Sequence, residues 1–207
     1  MLNLDFSSYI FDFDGVLFDT NNIKEKAIRK AVEKNSDDQN LVATFLEYFT
    51  SNNGLSREYK INKFFNSLES KLILTDYNSI LDSSLLDALP CDCSLELVKK
   101  LHNLNKNIFI LSGGEESEIM KILTKFNILE CFVSIYTSNT PKSSALEIIK
   151  ENKEECIFFG DSAIDYQAAQ SANVKFLFVR KYSQDNYMKN FFLGDGSINS
   201  LCELKIL

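Results

Sequence analysis

Two acidic residues, Asp12 and Asp14, lie two positions apart, directly after a short apolar run at residues 9–11 and directly before Gly15. Like charges this close repel each other, so at least one carboxylate needs a cation or a proton nearby. Mg²⁺ would meet that need, because it binds one or two carboxylates together with phosphate oxygens and water. A carboxylate can also attack phosphorus while a second acid protonates the leaving oxygen. The pair therefore indicates phosphate chemistry, although Asp-Gly is also a common turn dipeptide.

Two further positions carry groups that suit a phosphate. Ser112 precedes Gly113 and Gly114, and a hydroxyl followed by unhindered backbone N–H groups at a helix start can cradle an oxyanion. The same residues also suit an ordinary helix N-cap. Lys142 follows Pro141 and can neutralise both an attacking carboxylate and a phosphoryl group. Its ordinary alternative is a solvated lysine in the first turn of a helix.

A second acidic pair follows later in the chain, in the segment Gly160–Asp165. Asp161 comes at the end of an apolar run and can ligate a metal ion. Asp165 lies four residues on, about one helical turn away, where it can orient that ion or bond Lys142. The alternative is a capped helix with Asp165 in its first turn.

The elements that must position these residues alternate along the second half of the chain. Apolar runs predict strands at residues 8–12, 107–111, 132–136, 156–159 and 176–179. Between them, helical periodicity predicts helices at residues 95–103, 115–126, 143–151 and 163–171. The strands are apolar on both faces, as in a parallel sheet covered by helices. Asp12, Ser112 and Asp161 each follow the carboxyl end of a strand, where ligands bind in such sheets, so we expect them to converge.

The segment between Thr20 and Leu89 shows no alternation of period two and reads as helical throughout. The pattern predicts helices at residues 22–35, 41–49 and 58–70, and another that ends at residues 85–89. In the last segment we expect packing residues and a short closing helix. The packing residues are Tyr187, Phe191, Phe192 and Leu193, and the helix contains Leu201, Leu204 and Leu207.

Composition narrows the possible functions. The 207 residues suit one medium domain or a core with a modest insertion. The formal net charge of −7 argues against nucleic acid as a main partner, and no apolar run reaches the ~20 residues that a membrane helix needs. The five cysteines are odd in number and irregularly spaced, which predicts reduced thiols in a cytosolic protein. Cys91 and Cys93 are assigned to a surface loop.

Taken in order, these motifs resemble those of the haloacid dehalogenase-like (HAD) superfamily. The order is DxDGV, a serine at a strand end, a lysine and GDxxxD, and the resemblance covers the whole chain. It implies an α/β fold with a Rossmann-like core and Mg²⁺-dependent phosphoryl transfer through an aspartyl-phosphate. Asp12 would be the nucleophile and Asp14 the general acid/base, with Ser112 and Lys142 completing the catalytic set. Ser112, Gly113 and Lys142 would bind the phosphate, and the metal ligands would be Asp12, Asp14 through its backbone carbonyl, Asp161 and Asp165.

The resemblance also implies a mobile domain over the site. Residues 1–18 and 90–207 would form the core, and residues 19–89, hereafter the helical block, would form a C1-type cap. Closure of such a cap excludes water while the nucleophile is phosphorylated. The stretch Gly54–Arg57 is similar to a loop of β-phosphoglucomutase-like members in which the arginine contacts a substrate phosphate. Arg57 could grip an anion in this way, or Ser56 could cap a helix that leaves Arg57 exposed; both can hold.

The predicted activity is hydrolysis of a small phosphorylated metabolite, with sugar phosphates favoured by the Gly54–Arg57 stretch and phosphoglycolate phosphatase among the similar members. A dehalogenase lacks the second aspartate of the first motif, so Asp14 argues against that reaction. Mutase-like members carry a histidine early in the first cap helix, where this chain has Lys24, and its single histidine is His102. A sugar-phosphate mutase and a non-catalytic binding protein remain the alternatives. The oligomeric state stays open.

Overall fold

The computed structural model describes residues 2–52, 55–151, 155–192 and 196–206. Its strands, in chain order, are β1 (Leu2–Leu4), β2 (Ser8–Phe11), β3 (Phe18–Asp19), β4 (Leu89–Pro90), β5 (Asn107–Leu111), β6 (Ser134–Tyr136), β7 (Cys156–Gly160), β8 (Lys175–Val179), β9 (Ser197–Ile198) and β10 (Leu204–Ile206). Six of them form one parallel sheet in the order β6-β5-β2-β7-β8-β9. The predicted parallel sheet is therefore confirmed.

The helices are α1 (Asn21–Asn35), α2 (Gln39–Ser51), α3 (Arg57–Asn62), α4 (Ser67–Ser84), α5 (Ser94–Asn103), α6 (Glu116–Lys125), α7 (Lys142–Lys150), α8 (Ala163–Ala172) and α9 (Asn186–Phe191). Side chains of β2 point alternately to the two faces of the sheet. Ile10 packs with residues of α7 and α8, while Tyr9 and Phe11 belong to a larger apolar cluster that includes the helical block. Burial on both faces explains why the strand sequences read as continuous apolar runs.

Strand β2 occupies the centre of the sheet, between β5 and β7. Phe11 is paired with Ile110 on one side and with Phe159 on the other, so the three strands end at nearly the same level. The backbone N–H of Asp12 still donates to the carbonyl of Phe159, at 2.8 Å. The residues that follow these strands are consequently brought to one edge of the sheet.

Helices α1 to α4 make up the helical block, and its two connections to the sheet run side by side. Strand β3 leads into the block and β4 leads out of it, and the two pair antiparallel, with Phe18 opposite Pro90. One predicted helix, 58–70, is wrong, because the structure has two helices there, α3 and α4. The side chain of Asn66 accepts hydrogen bonds from the N–H groups of Leu68 and Glu69, and Glu69 bonds back to the N–H of Asn66. This capping box begins a new helix.

The last part of the chain also differs from expectation. The predicted closing helix is a single 3-10 turn at Leu201–Glu203, followed by strand β10, which pairs parallel with β1. Strand β8 is not the last strand, because β9 extends the sheet beyond it. Tyr187 is 72% exposed, so its assignment as a packing residue is wrong, whereas Phe192 stacks on Phe178. Leu193 and Leu207 lie outside the described residues. Strands of two or three residues are too short to show a period.

The expectation of five reduced cysteines is wrong for two of them. Cys93 and Cys202 form a disulfide, with their Cα atoms 5.2 Å apart although 109 residues separate them in sequence. Pairing across such a separation depends on the tertiary fold, which brings the last segment against the start of α5. Cys91 is buried, so the loop is not wholly at the surface either. Among the described residues, no helix is long and apolar enough to cross a membrane.

Candidate active site at the carboxyl edge of the sheet

Three aspartates meet at the carboxyl edge of the sheet. Asp12 follows β2, Asp161 follows β7 and Asp165 lies in the first turn of α8. All three are buried, and each offers a carboxylate oxygen within 4.8 Å of the others. The convergence predicted from the strand ends is thus observed for the acids. Hereafter the three residues are called the carboxylate cluster.

Lys142, the first residue of α7, supplies the cation of this cluster. Its buried Nζ lies 2.7 Å from Oδ1 of Asp12 and 2.5 Å from Oδ1 of Asp165. The other carboxylate oxygen of Asp165 accepts hydrogen bonds from the N–H and the hydroxyl of Ser162, at 3.1 and 2.6 Å. Asp165 is therefore held from both sides, and it in turn orients Lys142 beside Asp12. The solvated-lysine alternative for Lys142 is wrong.

One lysine does not balance three buried carboxylates. Burial, together with the neighbouring Asp165 and Asp14, raises the pKa of Asp12 to about 7 although Lys142 opposes the change. Burial and the carboxylate of Asp12 raise the pKa of Asp161 well above its ordinary value. A hard divalent cation relieves such repulsion, because oxygen donors of this kind are its preferred ligands. By the chemistry of the donor set, the cluster fits Mg²⁺.

Gly15 makes room for this arrangement. Its φ is +79°, a left-handed conformation that glycine adopts without a steric penalty. A Cβ atom at this position would lie 2.3 Å from Oδ2 of Asp161 and 2.6 Å from Nδ2 of Asn21. That amide of Asn21 donates to Oδ2 of Asp161 at 3.2 Å and to the carbonyl of Tyr182 at 3.3 Å. The turn after the first motif is therefore packed directly against the carboxylate of Asp161.

The side chain of Asp14 is held by residues of the helical block and not by Lys142. Both of its oxygens lie near the ammonium of Lys24, at 2.5 and 2.6 Å, and the hydroxyl of Thr20 donates to one of them. Burial by itself would raise the pKa of Asp14, but Lys24 and Thr20 outweigh burial and hold that pKa below its ordinary value. The position that in mutase-like members carries a histidine thus carries, in this chain, the ion-pair partner of Asp14.

The segment Ser112–Gly114 follows strand β5 at the same edge of the sheet. Ser112 is buried, and its Oγ accepts a hydrogen bond from the N–H of Gly114 at 3.0 Å. A Cβ at Gly114 would be 3.2 Å from that Oγ, 3.4 Å from Nζ of Lys24 and 3.9 Å from Oδ2 of Asp14. The tight distance is the one to Ser112 itself, whereas the distance to Asp14 is an ordinary van der Waals contact, and binding of an oxyanion by this segment stays a prediction.

A cavity of about 40 Å³ opens above these residues. Asp12, Asp14 and Asp161 line it together with Gly113 and Gly114 from the sheet edge. From the helical block, it is lined by Phe49, Leu55, Tyr77, Lys24, Arg57 and Lys60, among others. Ser112 and Lys142 line an adjoining groove that shares Leu55 and Gly113 with the cavity.

Arg57 is buried in an ion pair, which differs both from an arginine that binds a substrate anion and from an exposed arginine behind a helix cap. Ser56 does cap α3, since its Oγ accepts from the N–H of Tyr59 at 3.3 Å. Arg57, however, is only 8% exposed, so the expectation of an exposed arginine is wrong. Its two terminal nitrogens each lie 2.5 Å from a different oxygen of Glu118 on α6, and it also donates to Asn78 at 2.9 Å. Contact of Arg57 with a substrate phosphate stays a prediction, and Asn53 and Gly54 lie outside the described residues.

Several residues of this site were missed at the level of the sequence. The sequence shows Lys24 as a departure from the mutase pattern, and its place in the first helix after the DxDGV motif also indicates that it lies near that motif. Asn21, at the start of that helix, shares the signal. The sequence gives no signal for Glu118 or Lys60, because their partners depend on how the helical block packs on the sheet.

Comparisons with known proteins agree with this geometry. Residues 9–179 match the family model described as haloacid dehalogenase-like hydrolase. Among solved structures, a β-phosphoglucomutase from Clostridium difficile is 20% identical, with 97% of this chain and 94% of that chain covered and a TM-score of 0.75. A predicted phosphatase from Clostridium acetobutylicum is 17% identical, with 96% and 95% covered and a TM-score of 0.75. No curated protein matches the chain. At these identities the solved structures show a shared fold.

Proposed function

The chain belongs to the haloacid dehalogenase-like hydrolase family, and we propose that it is a Mg²⁺-dependent phosphatase acting on a small phosphorylated metabolite through an aspartyl-phosphate. The observation that carries the proposal is the buried contact of Asp12 with Lys142 inside a carboxylate cluster, beneath a cavity lined by both the sheet edge and the helical block. The predicted phosphatase from Clostridium acetobutylicum, which shares the fold, supports the reaction type. Hydrolysis of a sugar phosphate is the finer form of the proposal.

Asp12 is the nucleophile of the proposed reaction. Its carboxylate oxygen attacks phosphorus, the ester P–O bond breaks, and the alcohol leaves with a proton from Asp14. Water then attacks the aspartyl-phosphate and gives its proton to Asp14, which releases phosphate and restores Asp12. Mg²⁺ held by Asp12, Asp161 and the backbone carbonyl of Asp14 would supply positive charge that keeps Asp12 deprotonated and stabilises the phosphoryl oxygens. Lys142 adds a fixed positive charge at the same point, and Asp165 keeps it there.

Asp14 must hold a proton in the first step and accept one in the second. In the present arrangement Lys24 and Thr20 stabilise its deprotonated form, which suits the second step. Binding of an anionic substrate would draw the ammonium of Lys24 away from Asp14 and so favour protonation. Ser112 and the N–H group of Gly113 are proposed to bind the phosphoryl oxygens, as donors at the start of a helix.

We assign the helical block, residues 19–89, the role of a cap, with residues 1–18 and 90–207 as the core. The antiparallel pair of β3 and β4 is the only direct strand pairing at the two crossings within the described residues, and it is two residues long on each side. A short pair of this kind can act as a hinge. Closure places cap residues over Asp12 and reduces access of water to the phosphoryl group.

Hydrolysis of p-nitrophenyl phosphate tests the proposed function. We expect phosphate release with Mg²⁺, loss of release with EDTA, and loss in Asp12→Asn. Asp5→Asn is the matched control, because the side chain of Asp5 is largely exposed and pairs with Lys106 far from the cavity. Hydrolysis that persists in both EDTA and Asp12→Asn would contradict the mechanism. A screen of phosphorylated metabolites then identifies the substrate, and interconversion without release of phosphate would indicate the mutase.

The predicted cytosolic location rested in part on reduced cysteines. Because Cys93 and Cys202 are joined in the structure, that argument no longer supports it, and the location stays a prediction.

A further inference from the structure

Three cationic side chains of the helical block line the cavity within the described residues: Lys24, Arg57 and Lys60. Lys24 is neutralised by Asp14, and Arg57 is neutralised by Glu118. The ammonium of Lys60 has no ion pair with a carboxylate of the part of the chain that the structure describes. Lys60 thus differs from Lys24 and Arg57, because no carboxylate among the described residues neutralises its charge.

The groups in direct contact with the ammonium of Lys60 are uncharged, and little water reaches it. The side chain is 4% exposed, and its Nζ donates to the carbonyls of Phe49, at 3.2 Å, and Asn52, at 3.5 Å. The same atom lies 3.7 Å from the centre of the Phe49 ring. Phe49 is in the last turn of α2, where carbonyls carry partial negative charge. These contacts direct an ammonium towards the cavity without cancelling its charge.

A buried ammonium without a full counter-charge costs free energy, and that cost falls when an anion binds beside it. In agreement, burial, together with the nearby charges of Lys24 and Arg57, lowers the pKa of Lys60 to about 7, although the carboxylate of Asp14 opposes the change. The cavity is the open side of this group, and the carboxylate cluster lines the same cavity from the sheet. A molecule with its phosphoryl group at Asp12 therefore has its remaining part directed towards the wall that contains Lys60.

We propose that Lys60 binds a second anionic group of the substrate, so that the enzyme selects phosphomonoesters that also carry a carboxylate or a second phosphate. This inference rests on the proposed phosphatase function and names its substrate class. The carboxylate and the phosphate share the chemistry that Lys60 recognises, namely a compact anion that accepts hydrogen bonds from an ammonium. The alternative is that Lys60 serves only to hold the carbonyl end of α2.

Three esters on one carbon frame test the proposal: glycerol 3-phosphate, whose remainder is uncharged, 3-phosphoglycerate, which ends in a carboxylate, and glycerol 1,3-bisphosphate. We expect the wild-type kcat/KM to be at least tenfold higher for one or both of the doubly anionic esters than for glycerol 3-phosphate. The preferred ester identifies the second group as carboxylate or phosphate. In Lys60→Met this preference should fall at least tenfold, mainly through KM, whereas Lys60→Arg should retain part of it because it keeps the charge.

Lys63→Met is the matched control. Lys63 follows the same short helix, is exposed, and places its ammonium 4.2 Å from the ring of Tyr48, away from the cavity lining. Lys63→Met should leave the preference for the doubly anionic esters unchanged. A wild-type enzyme that does not distinguish the three esters overturns the proposal. So does a Lys60→Met variant that loses the same factor on every ester, which is the result expected if Lys60 only holds the end of α2.

Two measurements separate this proposal from the phosphatase function itself. If p-nitrophenyl phosphate is hydrolysed with Mg²⁺ but the three esters are treated alike, the function stands and the inference fails. If no ester is hydrolysed, calorimetry in the Asp12→Asn background still measures binding of 3-phosphoglycerate and glycerol 3-phosphate. Tighter binding of the doubly anionic ester that depends on Lys60 supports the inference, and equal binding overturns it.

Discussion

Replacing the proposed nucleophile should make the metal-free protein more stable. Asp12 is buried with Asp161 and Asp165 around a single lysine, so the folded protein confines more negative charge than Lys142 balances. Asp12→Asn removes one charge and keeps the shape, and the amide oxygen can still accept from Lys142, now 2.7 Å from Asp12. Lys142 and Asp165 are then left as a one-to-one pair. Stability given up for function is common at active sites.

The size of the effect follows from the pKa of Asp12, which lies at 3.8 in the unfolded chain and about 7 in the folded protein. Three units correspond to about 4 kcal/mol, since one unit is worth about 1.4 kcal/mol. That figure already includes the opposing attraction of Lys142, so the net gain of the neutral side chain is about 4 kcal/mol. For a chain of this length the melting temperature should rise by about 8–16 °C.

The size of this stabilisation depends on pH. Between pH 4 and pH 7 the folded wild-type protein binds more protons at Asp12 than the unfolded chain does, so its stability falls as the pH rises. The advantage of Asp12→Asn should thus be near zero at pH 4 and complete above pH 7. Thermal unfolding in EDTA, followed by circular dichroism from pH 4.5 to pH 8, measures it, with Asp5→Asn as the control. At pH 8, Mg²⁺ should raise the melting temperature of the wild type more than that of Asp12→Asn. An advantage that is absent at pH 8, or independent of pH, would refute this reasoning.

Three further substitutions test other parts of the structure. Arg57→Ala should lower the free energy of unfolding, measured by chemical denaturation, by about 3–5 kcal/mol because it leaves the buried carboxylate of Glu118 unpaired. The control is Lys121→Ala on the same helix as Glu118, which removes an exposed ion pair with Asp82 and should cost below about 1 kcal/mol. Gly15→Ala should lower kcat/KM for p-nitrophenyl phosphate at least about 100-fold and weaken stabilisation by Mg²⁺, since its Cβ would lie 2.3 Å from a carboxylate oxygen of Asp161, a proposed metal ligand. Cys202→Ser opens a loop of more than 100 residues and should lower the stability of the oxidised protein by about 2–4 kcal/mol.

Each of these substitutions has a contrary outcome. Equal losses for Arg57→Ala and Lys121→Ala would show that the buried pair does not hold the helical block on α6, and an unchanged KM in Arg57→Ala would exclude contact with the substrate. Wild-type activity in Gly15→Ala would separate the turn from the carboxylate of Asp161. A Cys202→Ser protein as stable as the oxidised wild type would contradict the disulfide.

The contact of Arg57 with Glu118 changes how this arginine is understood. Resemblance to a phosphate-binding loop predicts that Arg57 binds the substrate. In the structure, however, both of its terminal nitrogens already donate to the carboxylate of Glu118 on α6. An incoming anion would have to displace Glu118. Arg57 therefore links the helical block to α6 in the present arrangement.

The sequence by itself determined the residues of the proposed catalytic site and the strands that position them. Asp12, Ser112 and Asp161 follow apolar runs, and parallel strands end at one edge of their sheet, so local pattern was sufficient to predict their convergence. The helical block was also readable, because amphipathic periodicity is a property of neighbouring residues.

Only the tertiary structure decided the pairs between distant segments. Lys24 with Asp14, Arg57 with Glu118 and Cys93 with Cys202 join residues from 10 to 109 positions apart. A lysine or a cysteine has the same local sequence whether it meets water or a partner. Its neighbours are chosen by the packing of helices on the sheet, which depends on the shape and burial of the whole apolar core and leaves no period in the chain. For the same reason, the lack of a carboxylate beside Lys60 among the described residues could be seen only once the fold was assembled.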